Sequence, residues 1–316
     1  MAHDLETLRA RRAARGKALR RRRRVSALAA AAVVVGVTVL LVTLASGTAH
    51  RQAHPAHSAS ITTGAHPLRQ ASRATQAPGS ALRAQVSAVR RLARFGLPLF
   101  CGGRTKRMVA LTFDDGPGVY TRLAVKKLHQ HHVPATFFLV GKEIRAHPGL
   151  AELEESVAAF GDHTMTHPFL PALGQSAMVS QIAAAQTLIE RTVGRPIVLF
   201  RPPFEGRTVA IDREVGSLGM LEVLWNVDSR DSLGDTNYHG IERNVIAGLR
   251  PGSIILMHEN HGQTIRALPV IFAALDRRRL RAVTVPELVS ADPPSPTQLR
   301  RGLSGCPVTL TASNGG

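Results

Sequence analysis

Met108-Val109-Ala110-Leu111-Thr112-Phe113-Asp114-Asp115-Gly116-Pro117 is an apolar run that ends in two carboxylates and a sharp turn. A short, continuously apolar stretch closed by Gly-Pro reads as a buried strand leaving the core. The layout recurs downstream. Residues 135–140, 197–200, 220–226, 253–258 and 281–285 read as further strands, and 120–131, 150–160, 175–193, 241–249 and 265–279 as helices between them. Such alternation predicts parallel strands with crossover helices, either a barrel short of eight units or a doubly wound sheet.

The polar residues separate the two architectures. Asp114 and Asp115 follow the first strand, Arg201 the third, Asp228 and Asp231 the fourth, and His258 closes the fifth. Strand ends meet at one mouth in a parallel barrel, whereas distant strands of an open sheet lie too far apart to share a site. A converging set therefore favours an α/β fold of distorted or incomplete (β/α) barrel type.

Composition sets the outer bounds. The chain has 316 residues, 44% hydrophobic and 20% charged, which excludes wholesale disorder, collagen and coiled coil. Two cysteines cannot build a four-thiolate metal site, and aromatics at 4% supply no base-stacking platform, so no nucleic-acid partner is expected. The net charge of +18 divides unevenly: residues 1–24 carry +8, residues 25–100 carry +7 without one acid, and residues 101–316 only +3. The basicity belongs to the N-terminal third.

Arg20 to Arg24 form an unbroken basic run, followed from Val25 to Ala45 by 21 residues without a charge. At 1.5 Å per residue that stretch matches a hydrocarbon core of about 30 Å. The charge asymmetry places the N-terminus in the cytoplasm and everything after residue 46 outside. The expectation is a single-pass cell-membrane anchor, with secretion after cleavage near Ala49 as the alternative. Residues 1–24 are then a basic cytoplasmic segment, 25–45 the anchor and 46–96 a linker. The linker ends in an amphipathic stretch, Leu82, Val86, Val89 and Leu92, which either docks on the domain or lies on anionic lipid. Residues 97–292 form the folded domain, and 293–316 a tail.

Cys101 and Cys306 flank the folded part. Outside the cytoplasm they can form a disulfide that clasps the tail, closing a loop worth on the order of 5 kcal/mol in the chain-entropy model. The alternative is two unrelated buried thiols.

His163-Thr164-Met165-Thr166-His167 offers two imidazoles at i and i+4, which share one face of a helical turn. Two histidines and a carboxylate such as Asp115 make a ligand set for a catalytic divalent ion, zinc in a hydrolase or iron in an oxygenase.

These pieces together carry a resemblance. Thr112-Phe113-Asp114-Asp115-Gly116-Pro117, the two-histidine motif, Phe200-Arg201-Pro202-Pro203-Phe204, Asp228-Ser229-Arg230-Asp231 and Leu256-Met257-His258 occur in the order of the polysaccharide deacetylase family, the NodB-homology domain of carbohydrate esterase family 4. The resemblance covers about residues 104–290. It implies a distorted barrel and a divalent ion, usually Zn2+ and sometimes Co2+ or another, held by Asp115, His163 and His167. It further implies Asp114 as catalytic base, Arg201 as the arginine that orients it, His258 as general acid and Asp231 as its tuning partner. The Phe204 backbone N–H matches the oxyanion donor, with Pro203 and Leu256 beside the substrate.

Those roles suit amide or ester hydrolysis: an ionised base for water, donors for an oxyanion and an acid for the leaving group. The expected substrate is an acetylated polysaccharide or oligosaccharide, with N-acetyl groups of a peptidoglycan-like or chitin-like aminosugar polymer ahead of O-acetyl groups of a xylan. A carbohydrate-binding pseudoenzyme and a wall-tethering spacer are the readings from other classes, and a monomer is expected. The chain departs from the family at Glu205, which separates Phe204 from Gly206, at Ser232, where tryptophan is usual, and at 157–161, where a histidine is missing. These changes bear on substrate preference.

Overall fold

The structure is a computed structural model that describes residues 78–306. Its centre is an eight-stranded, all-parallel sheet in the order β5-β4-β3-β2-β1-β7-β6, with β8 against β1. In chain order these are β1 (Met108–Gly116), β2 (Ala135–Leu139), β3 (Ala158–Asp162), β4 (Leu199–Phe200), β5 (Leu221–Glu222), β6 (Val227–Asp228), β7 (Ile254–His258) and β8 (Arg281–Val283). The sheet curls into a half-barrel, and the helices pack on its outer side. They are α1 (Pro78–Ala93), α2 (Thr121–Gln130), α3 (Gly141–Ala146), α4 (Leu150–Glu154), α5 (Gln175–Val193), α6 (Val209–Ser217), α7 (Tyr238–Gly248), α8 (Gly262–Arg277), α9 (Val285–Ala291) and α10 (Pro296–Arg300).

Two apolar clusters follow from the two faces of the strands. Val109, Leu111, Phe113, Phe137 and Ile255 pack outward under α2, α5 and α8. Ala110, Phe138, Leu199, Val223 and Ile254 belong to a second cluster with Val89 and Leu92 of α1 and Leu288 of α9. The amphipathic stretch thus docks, its apolar face closing the base of the barrel. Burying each such side chain stabilises by about 1.5–3 kcal/mol. Cys101 and Cys306 are joined in a disulfide, with Cα atoms 5.8 Å apart, and tie the tail to the segment that enters β1.

Two sequence-based assignments are corrected. Residues 150–160 are not one helix: α4 stops at Glu154, and Ala158–Asp162 is a buried strand between β2 and β4. Ala-Ala-Phe-Gly-Asp has little intrinsic strand preference, and pairing on both sides overrides that. Gly161 shows the tertiary demand, since a Cβ there would overlap the Phe138 ring. Residues 220–226 are likewise not one strand. The run leaves β4 as β5, crosses the open side of the barrel with Leu224 N–H bonded to Leu99 O (2.8 Å), and joins β7 as β6.

Residues 25–45 lie outside the described residues. Among the described residues, no helix is long and apolar enough to cross a membrane.

Candidate active site

The mouth is built where β1 ends. Adjacent strand residues normally face opposite ways, yet Asp114 and Asp115 both serve the mouth. A bulge makes this possible: the β1–β2 register shifts between Asp114 and Gly116, and Asp115 takes a left-handed φ of 69°.

Asp114 is buried and pairs with Arg201 Nη1 through Oδ1 at 2.7 Å. Arg201 is fully buried, with every guanidinium nitrogen hydrogen-bonded. It also donates to Thr112 Oγ1 (2.8 Å), Val223 O (2.9 Å) and Leu224 O (3.2 Å), and its guanidinium lies 4.1 Å from the Phe138 ring centroid. Burial raises the Asp114 carboxyl above its ordinary range, while the charge and hydrogen bond of Arg201 pull it back.

The two histidines come together without a helix, which corrects the helical-turn expectation. His163 and His167 follow β3 on an irregular loop with left-handed residues at Thr164 (φ 69°) and His167 (φ 60°). Asp162 sets the first of these by accepting from Thr164 N–H at 2.6 Å. The imidazole centroids are 4.8 Å apart. His163 Nδ1 lies 2.7 Å from Arg201 O, and a carbonyl only accepts, so Nδ1 carries the proton and Nε2 presents its lone pair. Burial drives His163 down to about 3 despite the attraction of Asp115, which keeps it neutral.

Asp115 Oδ1 sits 3.5 Å from His163 Nε2 and 3.2 Å from His167 Nε2, and it is buried without a hydrogen-bond donor. The His163 Nε2 lone pair and the Asp115 oxygen repel at that range unless a cation lies between them. One carboxylate oxygen and two imidazole nitrogens within 4.8 Å of one another fit a borderline divalent ion. Asp115, His163 and His167 are the residues that would hold it.

His258 faces this group from the neighbouring strand, in direct register with Asp114. Asp231 fixes it twice, accepting from His258 Nδ1 and from His258 N–H, each at 2.7 Å, and it also accepts from Thr264 Oγ1 at 2.6 Å. Burial opposes charge on the imidazole. The hydrogen bond and charge of Asp231, with Asp114 and Asp115, outweigh it and push His258 up to about 9. Burial also works against the Asp231 carboxylate, but its donors hold it below the ordinary range.

Phe204 stands on the mouth in a left-handed turn (φ 57°), 68% exposed, its ring edge-on to His167 at 4.6 Å. Pro203 is buried beneath it, and Leu256 is a buried residue of β7 beside Thr112. Asp228 stays outside the cluster, exposed and capping Arg230 N–H. Ser232 and Glu205 are exposed at the rim.

Several residues of the site escaped sequence reading. Thr112 and Thr264 serve the two carboxylates. Arg207 ties the 203–206 turn to Glu222 and to Asp212 (3.0 Å). Burial raises Glu222 to about 8 against the pull of Arg207. Beneath the β1 turn, Glu259 accepts from Thr121 Oγ1 at 2.8 Å and occupies the space a Cβ on Gly116 would need, with the buried Glu154 beside it. A charged residue inside an apolar run was the available signal for Glu222, whereas Glu259, between His258 and Asn260, gave none.

Comparison with known proteins agrees with this geometry. Residues 102–223 match the family described as polysaccharide deacetylase. A peptidoglycan-N-acetylglucosamine deacetylase of Bacillus cereus is 32% identical over 186 residues, covering 56% of this chain and 68% of the relative. A chitooligosaccharide deacetylase of a Bradyrhizobium species is 31% identical over 221 residues, 61% of this chain and 98% of the relative. Among solved structures, the Bc1960 peptidoglycan N-acetylglucosamine deacetylase aligns with a TM-score of 0.59 at 30% identity, over 65% of this chain and 96% of that one. The chain belongs to the polysaccharide deacetylase family.

Proposed function

We propose that this protein hydrolyses N-acetyl groups on an aminosugar polymer of the peptidoglycan or chitin type. The observation that carries the reading is the pairing of Asp114 and His258 as register neighbours, each held by its own partner, Arg201 and Asp231, beside the Asp115–His163–His167 group. An acetyl amide is a poor electrophile and water a poor nucleophile, so both must be assisted. Asp115, His163 and His167 would hold a divalent ion, zinc by the chemistry of the donor set, which would supply Lewis-acid polarisation and local positive charge. Asp114, kept ionised by Arg201, removes the proton from the attacking water. The N–H of Phe204 stabilises the oxyanion. His258, charged through Asp231, delivers a proton to the departing amine, without which the C–N bond cannot break productively.

The names of the Bacillus and Bradyrhizobium relatives support an amide over an ester substrate. Residues 25–45 anchor the chain in the cell membrane with the catalytic part outside, a reading supported by the 21 uncharged residues that follow five arginines. Acetate release is the test, on chitin oligomers, peptidoglycan and acetylated xylan with added zinc. Release from the aminosugars that disappears in Asp114→Asn is expected. Equal release by the variant would remove the base, and release from xylan alone would replace amidase by esterase.

A further inference from the structure

Every group of the mouth lies at the C-terminal ends of the strands, and a cluster of arginines lies at the opposite pole. There α1 lays Ala88, Val89, Leu92 and Ala93 into the barrel base, which turns Arg83, Arg90, Arg91 and Arg94 to solvent. A second basic group gathers where β1 and β8 begin. Arg107 donates to the carbonyls of Arg278 and Arg279, and Arg281 N–H returns to Arg107 O at 2.8 Å. Arg278 and Arg250 both donate to Leu249 O, at 3.0 and 2.7 Å. The two groups adjoin, because Arg281 pairs with Glu287 at the start of α9, which packs on α1.

The guanidiniums of Arg107, Arg250 and Arg278 are held by main-chain oxygens, which leaves their charge standing. Among the described residues, Arg281 is the one member of either group with a carboxylate in ion-pair range. Residues 101–316 carry only +3 in all, so this gathering of arginines is local and does not reflect the overall charge of the domain. Crowded like charges repel, and an anionic surface relieves that repulsion.

We infer that the basic pole docks on the anionic lipid headgroups of the bilayer that residues 25–45 cross, so that the mouth faces away from the membrane. The inference rests on reading that segment as a span. The 32 residues from 46 to 77 reach no farther than about 110 Å in any conformation. A tether of that reach keeps the domain at an effective concentration on the order of millimolar at the surface, where polybasic attraction is effective. The chain also re-enters the domain at α1, on the basic pole itself.

The test uses the full chain in vesicles of phosphatidylcholine, alone or mixed with phosphatidylglycerol. Both native cysteines are in the disulfide, so a fluorophore can be placed uniquely at Ser87→Cys on the exposed face of α1 or at Asp235→Cys on the mouth side. Energy transfer to a headgroup acceptor reports proximity. The Ser87 label should gain about twofold in transfer with the anionic lipid, and lose it in high salt and in R90E/R91E/R94E, while the Asp235 label does not gain. A Ser87 signal indifferent to lipid charge in protein that floats with both vesicle types overturns the docking and leaves the span. Flotation with anionic vesicles alone overturns the span and supports the docking, and flotation with neither overturns both. A Ser87 response to soluble polyphosphate without one to anionic lipid replaces the bilayer by a polyanion.

Discussion

Replacing Asp231 by asparagine keeps the shape around His258 and removes the charge that holds its proton. In the native site the imidazole titrates at about 9, against an ordinary value near 6.5, because Asp231 overcomes the burial that opposes charge. That difference corresponds to about 3 kcal/mol in favour of the charged form. With Asp231 neutral, burial, the largest influence, is opposed only by the weaker attraction of Asp114 and Asp115, and the imidazole is expected to fall to about its ordinary value. At pH 8 the native acid is about nine-tenths protonated and the variant's about one-thirtieth, so acetate release falls about 30-fold there and recovers toward pH 6. The alkaline limb of the rate profile moves from near 9 to below neutrality. Stability follows the same sign. A raised imidazole contributes fully below its unfolded value and loses that contribution as pH climbs through about 9, so the native advantage over D231N shrinks across this interval. The imidazole titration, followed by NMR in chelator-treated protein, reads the value directly. An alkaline limb that stays near 9 in D231N would refute the assignment of His258 and Asp231 as an acid and its tuner.

Three further outcomes are expected. Arg201→Lys keeps a charge but loses the fork that reaches Asp114, Thr112, Val223 and Leu224, and urea denaturation should show a loss of about 3–5 kcal/mol. A loss below 1 kcal/mol would show the guanidinium network to be dispensable. Reducing the Cys101–Cys306 bond, or Cys306→Ser, should lower the melting temperature by freeing a 205-residue loop worth up to about 5 kcal/mol. No change on reduction would exclude the tail from the cooperative unit. Glu154→Gln should match the native protein in acid and become relatively more stable as pH rises. Burial and the neighbouring Glu259 raise the native carboxyl well above its ordinary value, and that contribution is lost as pH climbs through the raised value. A stability difference that does not vary with pH would show that Glu154 ionises freely.

What the sequence disclosed, and what it hid, divides by the range of the cause. Asp114, Asp115, Arg201, Asp231 and His258 were legible because each lies just beyond a short apolar run, a local signal that a parallel fold converts into a shared mouth. The histidine pair was legible as residues but not as conformation, since Asp162 and two left-handed residues, not helix periodicity, bring the rings together. β3 was hidden because neighbours on both sides, rather than its own composition, make Ala158–Asp162 extended. The split of 220–226 was hidden for the same reason, as Leu99 lies more than a hundred residues away. Glu154, Thr121 and Glu259 meet only through tertiary packing.

Arg201 reaches the site by two routes of different durability. Its side chain steadies the carboxylate at Asp114, and its carbonyl orients the imidazole at His163. Any uncharged residue at this position abolishes the first contact, while the peptide carbonyl survives whichever amino acid is present. One nucleotide change can thus unpair Asp114 while leaving the His163 ring aimed at Asp115, so the proposed base and the proposed cation grip can be lost separately.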